Sequence, residues 1–390
     1  MLLLTRRPRR LALAGSAALM LGAALVFGAG PGSPAARAAV PVYDWTTAAI
    51  AWTGSSVVVA GSDNTGDIDY WWQATGSTAW HQQRVATGSS GLNWQDRPSI
   101  AWTGNSVVIA ATGIGGGLYI WSQPVGGTTW TEDVISGSGF AFQNTSIAEA
   151  AGSVILAVGD GSGNLDYWWA PNGSTSWHEQ RVATSTGDQY GDTYYGPPAI
   201  AWTGSAAVIA AGNGEDCPST CDLDYWSQAY GSSTWTQEQA AAAIDNGAYY
   251  ITAIASAGSS VVIAASAADP NGAVYVSQPA GGTTWTQQTI PDNWGSAPPP
   301  SIAWTGSSVV VTTDDPDFGS GPAYWWGPAS GTDWHQQILP ASVPDLSYGN
   351  SSIAATGSSV VIADTDSDGY MDYWWQAYGS STWHQQIVSL

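Results

Sequence analysis

One pattern of apolar and polar positions occurs seven times along the chain. Each copy opens with a run such as SIAWT, passes a Gly-Ser pair and continues into a β-branched run such as SVVVAG. The copies begin at Ile50, Ile100, Ile147, Ile200, Ile254, Ile302 and Ile353. Short apolar runs bounded by Gly, Ser and Pro read as strands, and the glycine supplies the positive φ of a hairpin turn. A second pair of runs follows, DIDYWWQ and AWHQQRV in the first copy, and reads as a second hairpin. No segment after the N-terminal leader keeps a helical period. Pro-rich stretches such as DRPS before Ile100 and APPPS before Ile302 punctuate the units. Four strands in about 50 residues is a propeller-blade period. A single blade leaves both faces uncovered, whereas seven in a ring cover one another. The expected fold is therefore all-β: a seven-bladed β-propeller of four-stranded antiparallel blades over residues 39–390. An open solenoid or two separate sandwiches is the alternative.

The second hairpin holds the informative variation. A fixed spacing separates two aromatic positions in every unit: 71/80, 121/130, 168/177, 226/235, 276/285, 325/334 and 374/383. The first is Trp in all but Val276, and the second is always Trp. This pair reads as blade-to-blade core. The residues that follow them switch together. Four units have Trp with His: Trp72/His81, Trp169/His178, Trp326/His335 and Trp375/His384. The other three have Ser with Thr: Ser122/Thr131, Ser227/Thr236 and Ser277/Thr286. Coupled change at two positions of a hairpin predicts facing neighbours, on the side opposite the constant pair. Two readings stay open. The bulky pairs fill space between blades, or the indole is a stacking platform for a pyranose and the histidine a hydrogen-bonding partner for a hydroxyl.

The unit AWTGSSVVVAGSDNTGDIDYWWQATGSTAW resembles the repeat of bacterial seven-bladed propeller lectins of the fucose-binding type. The shared layout is W-x-x-G, a β-branched strand, a G-x-D loop, an aromatic strand and a final Trp. The resemblance implies a non-catalytic carbohydrate-binding ring. This chain has Ser after the first turn, where those lectins often have Arg or Asp, and DYWW in place of their LxH.

Charge narrows the partners. A basic start (Arg6, Arg7, Arg9, Arg10), an apolar run from Leu11 to Phe27 and the small-residue site Ala36-Arg37-Ala38 read as a secretory signal peptide over residues 1–38. A spanning anchor is the alternative, and export by a twin-arginine route is also open. Beyond the leader remain three arginines (Arg84, Arg97, Arg181) and no lysine, set against 30 acidic residues, giving −27. Such a surface disfavours nucleic acid and anionic membrane, which require cationic side chains. Neutral glycans, including cell-surface polysaccharide, and cations are the expected partners of a secreted protein of this kind. Cys217 and Cys221, in CPSTC, are expected to form a local disulfide.

One acidic segment, DTDSDGYMD, fits D-x-D-x-D-G-x-x-D. It is similar to the calcium loop of integrin-type propellers, and predicts one Ca²⁺ held by Asp364, Asp366, Asp368 and Asp372 with the Tyr370 carbonyl. A solvated acidic turn is the plainer reading.

Catalysis is the least supported class. The turn GGTTW resembles a sialidase Asp-box, but Val125 stands at the aspartate position. Arg84 and Arg181 occupy equivalent repeat positions, which points to a structural role. Glu149, where the first unit has Trp52, is the one acid at an apolar repeat position, and two carboxylates are needed for glycoside hydrolysis. The alternatives to a lectin-like function are an interaction scaffold and, less favoured, a secreted glycosidase.

Overall fold

Every repeat folds into one sheet. The structure, a computed structural model, describes residues 45–88, 97–113, 116–135, 143–185, 195–213, 222–242, 249–267, 272–279, 281–290, 299–314, 321–341 and 348–388. The export leader and the Cys217/Cys221 pair lie outside these residues. Within them are seven sheets, each of four consecutive strands in up-and-down order with antiparallel pairing. Blade 1 comprises Trp45–Trp52, Ser56–Asp63, Ile68–Ala74 and His81–Ala86. Its second strand is buried from Val57 to Asp63. A strand covered on both faces reads as a continuous apolar run rather than an alternating one, and neighbouring blades provide that cover. The outer strand carries the exposed polar positions.

The first strand of each blade lies innermost. These strands neighbour one another around an axis, and that of blade 7 (Tyr348–Ala355) meets that of blade 1, closing the ring. An axial channel of about 340 Å³ is lined by the opening isoleucine of every blade, Ile50 through Ile353, and by prolines such as Pro98 and Pro197. The fold is the expected seven-bladed propeller.

Two polar devices recur between blades. A serine on one inner strand accepts from the isoleucine N–H of the next: Ser146 from Ile200 (3.0 Å), Ser301 from Ile353 (3.1 Å) and Ser352 from Ile50 (3.2 Å). Further out, a third-strand glutamine donates to a glutamine on the preceding blade's outer strand. These rungs are Gln123 to Gln83 (2.9 Å), Gln228 to Gln180 (2.8 Å) and Gln73 to Gln386 (3.2 Å).

Among the described residues the seam between blades 7 and 1 has no shared strand, because each sheet is built from consecutive strands alone. Non-covalent contacts therefore close it. Arg97, between blades 1 and 2, donates to Ala48 O of blade 1 (2.8 Å) and to Asn350 O and Ser351 O of blade 7 (both 2.7 Å). Gly61 leaves room for Met371 across the seam: a Cβ there would sit 2.5 Å from the methionine Cε.

Candidate functional site

The constant aromatic positions are core. Trp71, Trp121, Trp226, Trp325 and Trp374 are at most 1 % exposed, and Val276 is fully buried. Each faces the preceding blade: Trp71 packs with Val361 and Tyr373 of blade 7, and Trp121 with Val58 and Tyr70 of blade 1. Six closing tryptophans meet a tyrosine of the preceding blade edge-on, and Ile120 stands in the tyrosine's place before Trp177. Trp130 lies 5.2 Å from Tyr70 at 79°, and Trp80 lies 5.1 Å from Tyr373 at 79°.

The variable positions point to the following blade and face each other as expected. Trp72 pairs with His81, Trp169 with His178, Trp326 with His335 and Trp375 with His384. Ser122, Ser227 and Ser277 pair with Thr131, Thr236 and Thr286 in the same register. Ring centroids of the four Trp/His pairs are 5.1–5.3 Å apart, with planes 21–29° from parallel. Each indole also stacks on the tyrosine two residues earlier, Tyr70, Tyr167, Tyr324 or Tyr373, at 5.2–5.5 Å. Strand alternation puts that tyrosine on the same face. The result is a row of three rings running outward, with the tyrosine buried, the tryptophan half-buried and the histidine exposed. The row packs against the next blade, and its outer end is exposed.

A further repeat-position contrast was not anticipated. The indole N–H groups of Trp80, Trp130, Trp235, Trp334 and Trp383 are buried and meet no acceptor among the described residues. Trp177 and Trp285 instead donate to Asp133 Oδ2 (2.7 Å) and Glu238 Oε2 (3.2 Å) of the preceding outer strand. The other blades have glutamine there (Gln83, Gln180, Gln288, Gln337, Gln386). All four Trp/His clefts are of this glutamine kind, with a buried donor left over. The triplets HQQ and HEQ against TED and TQE are the sequence signal that would have revealed it.

The few cations are committed elsewhere. Arg84 pairs with Asp67 and Asp69, and Arg181 with Asp160 (3.1 Å) and Asp166 (2.6 Å). This is the structural role implied by their equivalent positions. Burial raises the carboxyl of Asp69 to about 6, with Gln82 opposing, and that of Asp166 to about 7, with Arg181 opposing. The unfolded groups titrate near 3.8, so the folded chain holds more protons between the two values. Their contribution to stability is complete below about pH 4 and is lost as pH rises through about 6 and 7. The Tm is expected to fall between about pH 4 and pH 7, and Asp166→Asn to flatten that fall. An equal slope in the variant would assign it to repulsion among the other acids.

The D-x-D-x-D-G segment takes a different form from a ligand loop. Asp366 Oδ1 accepts from the backbone N–H of Asp368 and Tyr370, both at 3.0 Å. The Tyr370 carbonyl accepts from Asp366 N–H (2.9 Å). Asp63 and Asp160 hold the same turn in blades 1 and 3, with Gly66, Gly163 and Gly369 at φ 76–81°. Asp364 is buried beside Asp314 and Arg97, and Asp372 Oδ2 accepts from Tyr348 Oη (3.3 Å). Burial next to Asp314 pushes the Asp364 carboxyl well up. Among the described residues no three acidic, histidine or cysteine side chains converge as a metal site. The residues as placed do not fit a calcium ion. Added Ca²⁺ is expected to leave the Tm where EDTA leaves it. A rise that Asp368→Asn removes would mean the turn rearranges to gather ligands.

Glu149 is likewise local. Its Oε1 accepts from Gly152 N–H (2.7 Å), closing the turn that the Thr53 hydroxyl closes in blade 1.

No protein-family model and no curated protein sequence matches the chain. Solved structures do match in fold. The BP39L lectin of Burkholderia pseudomallei is 12% identical with a TM-score of 0.67, over 88% of this chain and 98% of that one. The Aleuria aurantia lectin, in complex with α-methyl-L-fucoside, is 11% identical with a TM-score of 0.54, over 89% and 98%. A prolyl endopeptidase is 9% identical with a TM-score of 0.56, over 88% of this chain and 50% of that one. The chain thus shares its fold with lectins, and also with about half of a prolyl endopeptidase.

Proposed function

We propose that the mature chain is a secreted, non-catalytic carbohydrate-binding propeller whose Trp/His clefts take neutral glycans. The observation that carries this reading is the ring row in four clefts, which ends in a half-open indole and an exposed imidazole. An indole offers a flat apolar surface to the C–H face of a pyranose, and the imidazole nitrogens reach a hydroxyl. Excess negative charge and committed arginines favour a neutral ligand over an acidic one. Four weak clefts on one ring would act together on a polymeric glycan such as cell-surface polysaccharide. The lectins of the same fold support the reading, and the peptidase neighbour makes catalysis a point to test.

A glycan array carrying neutral and acidic glycans tests the proposal. Binding confined to neutral glycans, with no sugar released over time, is the expected result. A blank array would move the protein to the interaction-scaffold reading, and released sugar to the glycosidase reading. Export belongs to the same proposal: N-terminal sequencing of secreted protein is expected to begin at Ala39.

A further inference from the structure

The seven clefts between blades differ at the end of the inner strand, and the difference singles out one of them. Trp52, Trp102, Trp202, Trp304, Glu149, Ser256 and Ala355 hold the same register position, opposite Val57, Val107, Ala207, Val309, Val154, Val261 and Val360 in turn. Where tryptophan stands there, it packs into the cleft against the preceding blade. Trp52 shares a cluster with Trp375, Trp102 with Trp72, and Trp202 with Trp169. In three of the four Trp/His clefts, the ring row therefore faces a second indole from across the gap. In the fourth, between blades 6 and 7, Trp326 faces a blade with Ala355 in that place. Ile353, two residues earlier on the same face, belongs to the cluster that holds Trp326.

The space is open. A cleft of about 340 Å³ lies between blades 6 and 7, lined by Trp326, Tyr324, Gln337, Gln376 and Tyr378 and by hydroxyls from both blades, including Ser308 and Ser380. Val360, the register partner of Ala355, is on its wall. A second observation agrees. The glutamine rung that spans the other three Trp/His clefts is not made here: Gln337 Nε2 reaches only Ser381 O, at 3.5 Å, and Gln337 and Gln376 both line the cavity. The volume falls at the small end of small-molecule sites, about 300–1,000 Å³.

We infer that the blade 6–blade 7 cleft is the principal glycan site, and that the inner-strand residue at position 355 is the lock that decides whether a cleft is open. The inference rests on the carbohydrate reading above and adds to it an inequality among the clefts. The lining residues bring an indole, two amides, two phenols and several hydroxyls, and no charged side chain. That set suits one neutral saccharide unit with an apolar face and several hydroxyls. Tyr378, whose Oη donates to Thr356 O (2.6 Å), forms part of the wall.

The test uses the protein's own repertoire. Ala355→Trp installs the residue that four other blades already hold, and Trp102→Ala removes it from the cleft of Trp72. Methyl α-L-fucoside, methyl α-D-mannoside and methyl β-D-galactoside are each titrated against the full mature chain, with tryptophan fluorescence and calorimetric stoichiometry as readouts. The expected result is that wild type binds at least one of them in a tightest class of one equivalent. Ala355→Trp should abolish that class while keeping the Tm, and Trp102→Ala should add one equivalent. Unchanged affinity and stoichiometry in Ala355→Trp would overturn the inference and leave the carbohydrate reading standing. Wild type that binds none of the three would overturn it as well. A blank glycan array would instead remove the carbohydrate reading itself.

Discussion

Replacing Arg97 with alanine is expected to destabilise the propeller by about 3–5 kcal/mol, the range for removing one partner of a buried charged network. The side chain donates to three backbone carbonyls on two different blades, Ala48 O, Asn350 O and Ser351 O. A planar guanidinium can serve three acceptors at once, which an ammonium on a flexible stem does with less order. Arg97 also faces the buried pair Asp314 and Asp364. Asp314 in turn accepts from the backbone N–H of Asn350 and Ser351, so the same stretch of inner strand is held from both sides. Truncation would leave carbonyls without donors and two acids without a cation. Among the described residues no shared strand spans this seam to offset the loss. Urea unfolding gives the magnitude, and hydrogen exchange at Ile50 and Ile353 locates it. Arg97→Lys should recover only part. A loss under about 1 kcal/mol, with exchange unchanged at the seam, would show that the closing contacts lie elsewhere.

The second large effect separates two adjacent tryptophans. Trp374 is fully buried, donates its N–H to Pro340 O (2.9 Å) and meets Tyr348 edge-on at 5.5 Å. Trp374→Ala should cost about 3–5 kcal/mol through the cavity it leaves. Trp375, on the opposite face, is half-buried between Tyr373 and His384. Its truncation should cost about 2 kcal/mol, in proportion to the area it covers, and should weaken glycan binding. Trp374→Ala should leave the affinity of the folded protein unchanged. Equal destabilisation by the two changes, with equal effects on binding, would make both of them packing residues.

Much of this was legible in the residues. Seven copies of one phrase gave the blade count, and the joint switch of Trp/His with Ser/Thr gave the facing pairs. Equivalent positions for Arg84 and Arg181 indicated their structural role. The D-x-D-x-D-G pattern is complete in one copy, whereas the turn inside it is shared by others. Asp63 with Gly66 and Asp160 with Gly163 show the same Asp-x-x-Gly turn, and a backbone N–H is a nearer partner for such an aspartate than a cation. The open cleft was hidden for another reason. Ala355 looks like an unremarkable repeat variant until the fold sets it opposite Trp326. Likewise Arg97 lies between two repeats in sequence, and only ring closure brings it to blade 7.

The protein itself supplies the most direct test of the central claim that the Trp/His clefts bind glycan. In the three Ser/Thr blades the same positions fold without the rings. A variant carrying Trp72→Ser, His81→Thr, Trp169→Ser, His178→Thr, Trp326→Ser, His335→Thr, Trp375→Ser and His384→Thr should keep its seven blades. Measured on the same glycan array as wild type, it is predicted to remain folded by circular dichroism and to lose the neutral-glycan signals that wild type shows. A folded variant with an unchanged binding profile would contradict the account.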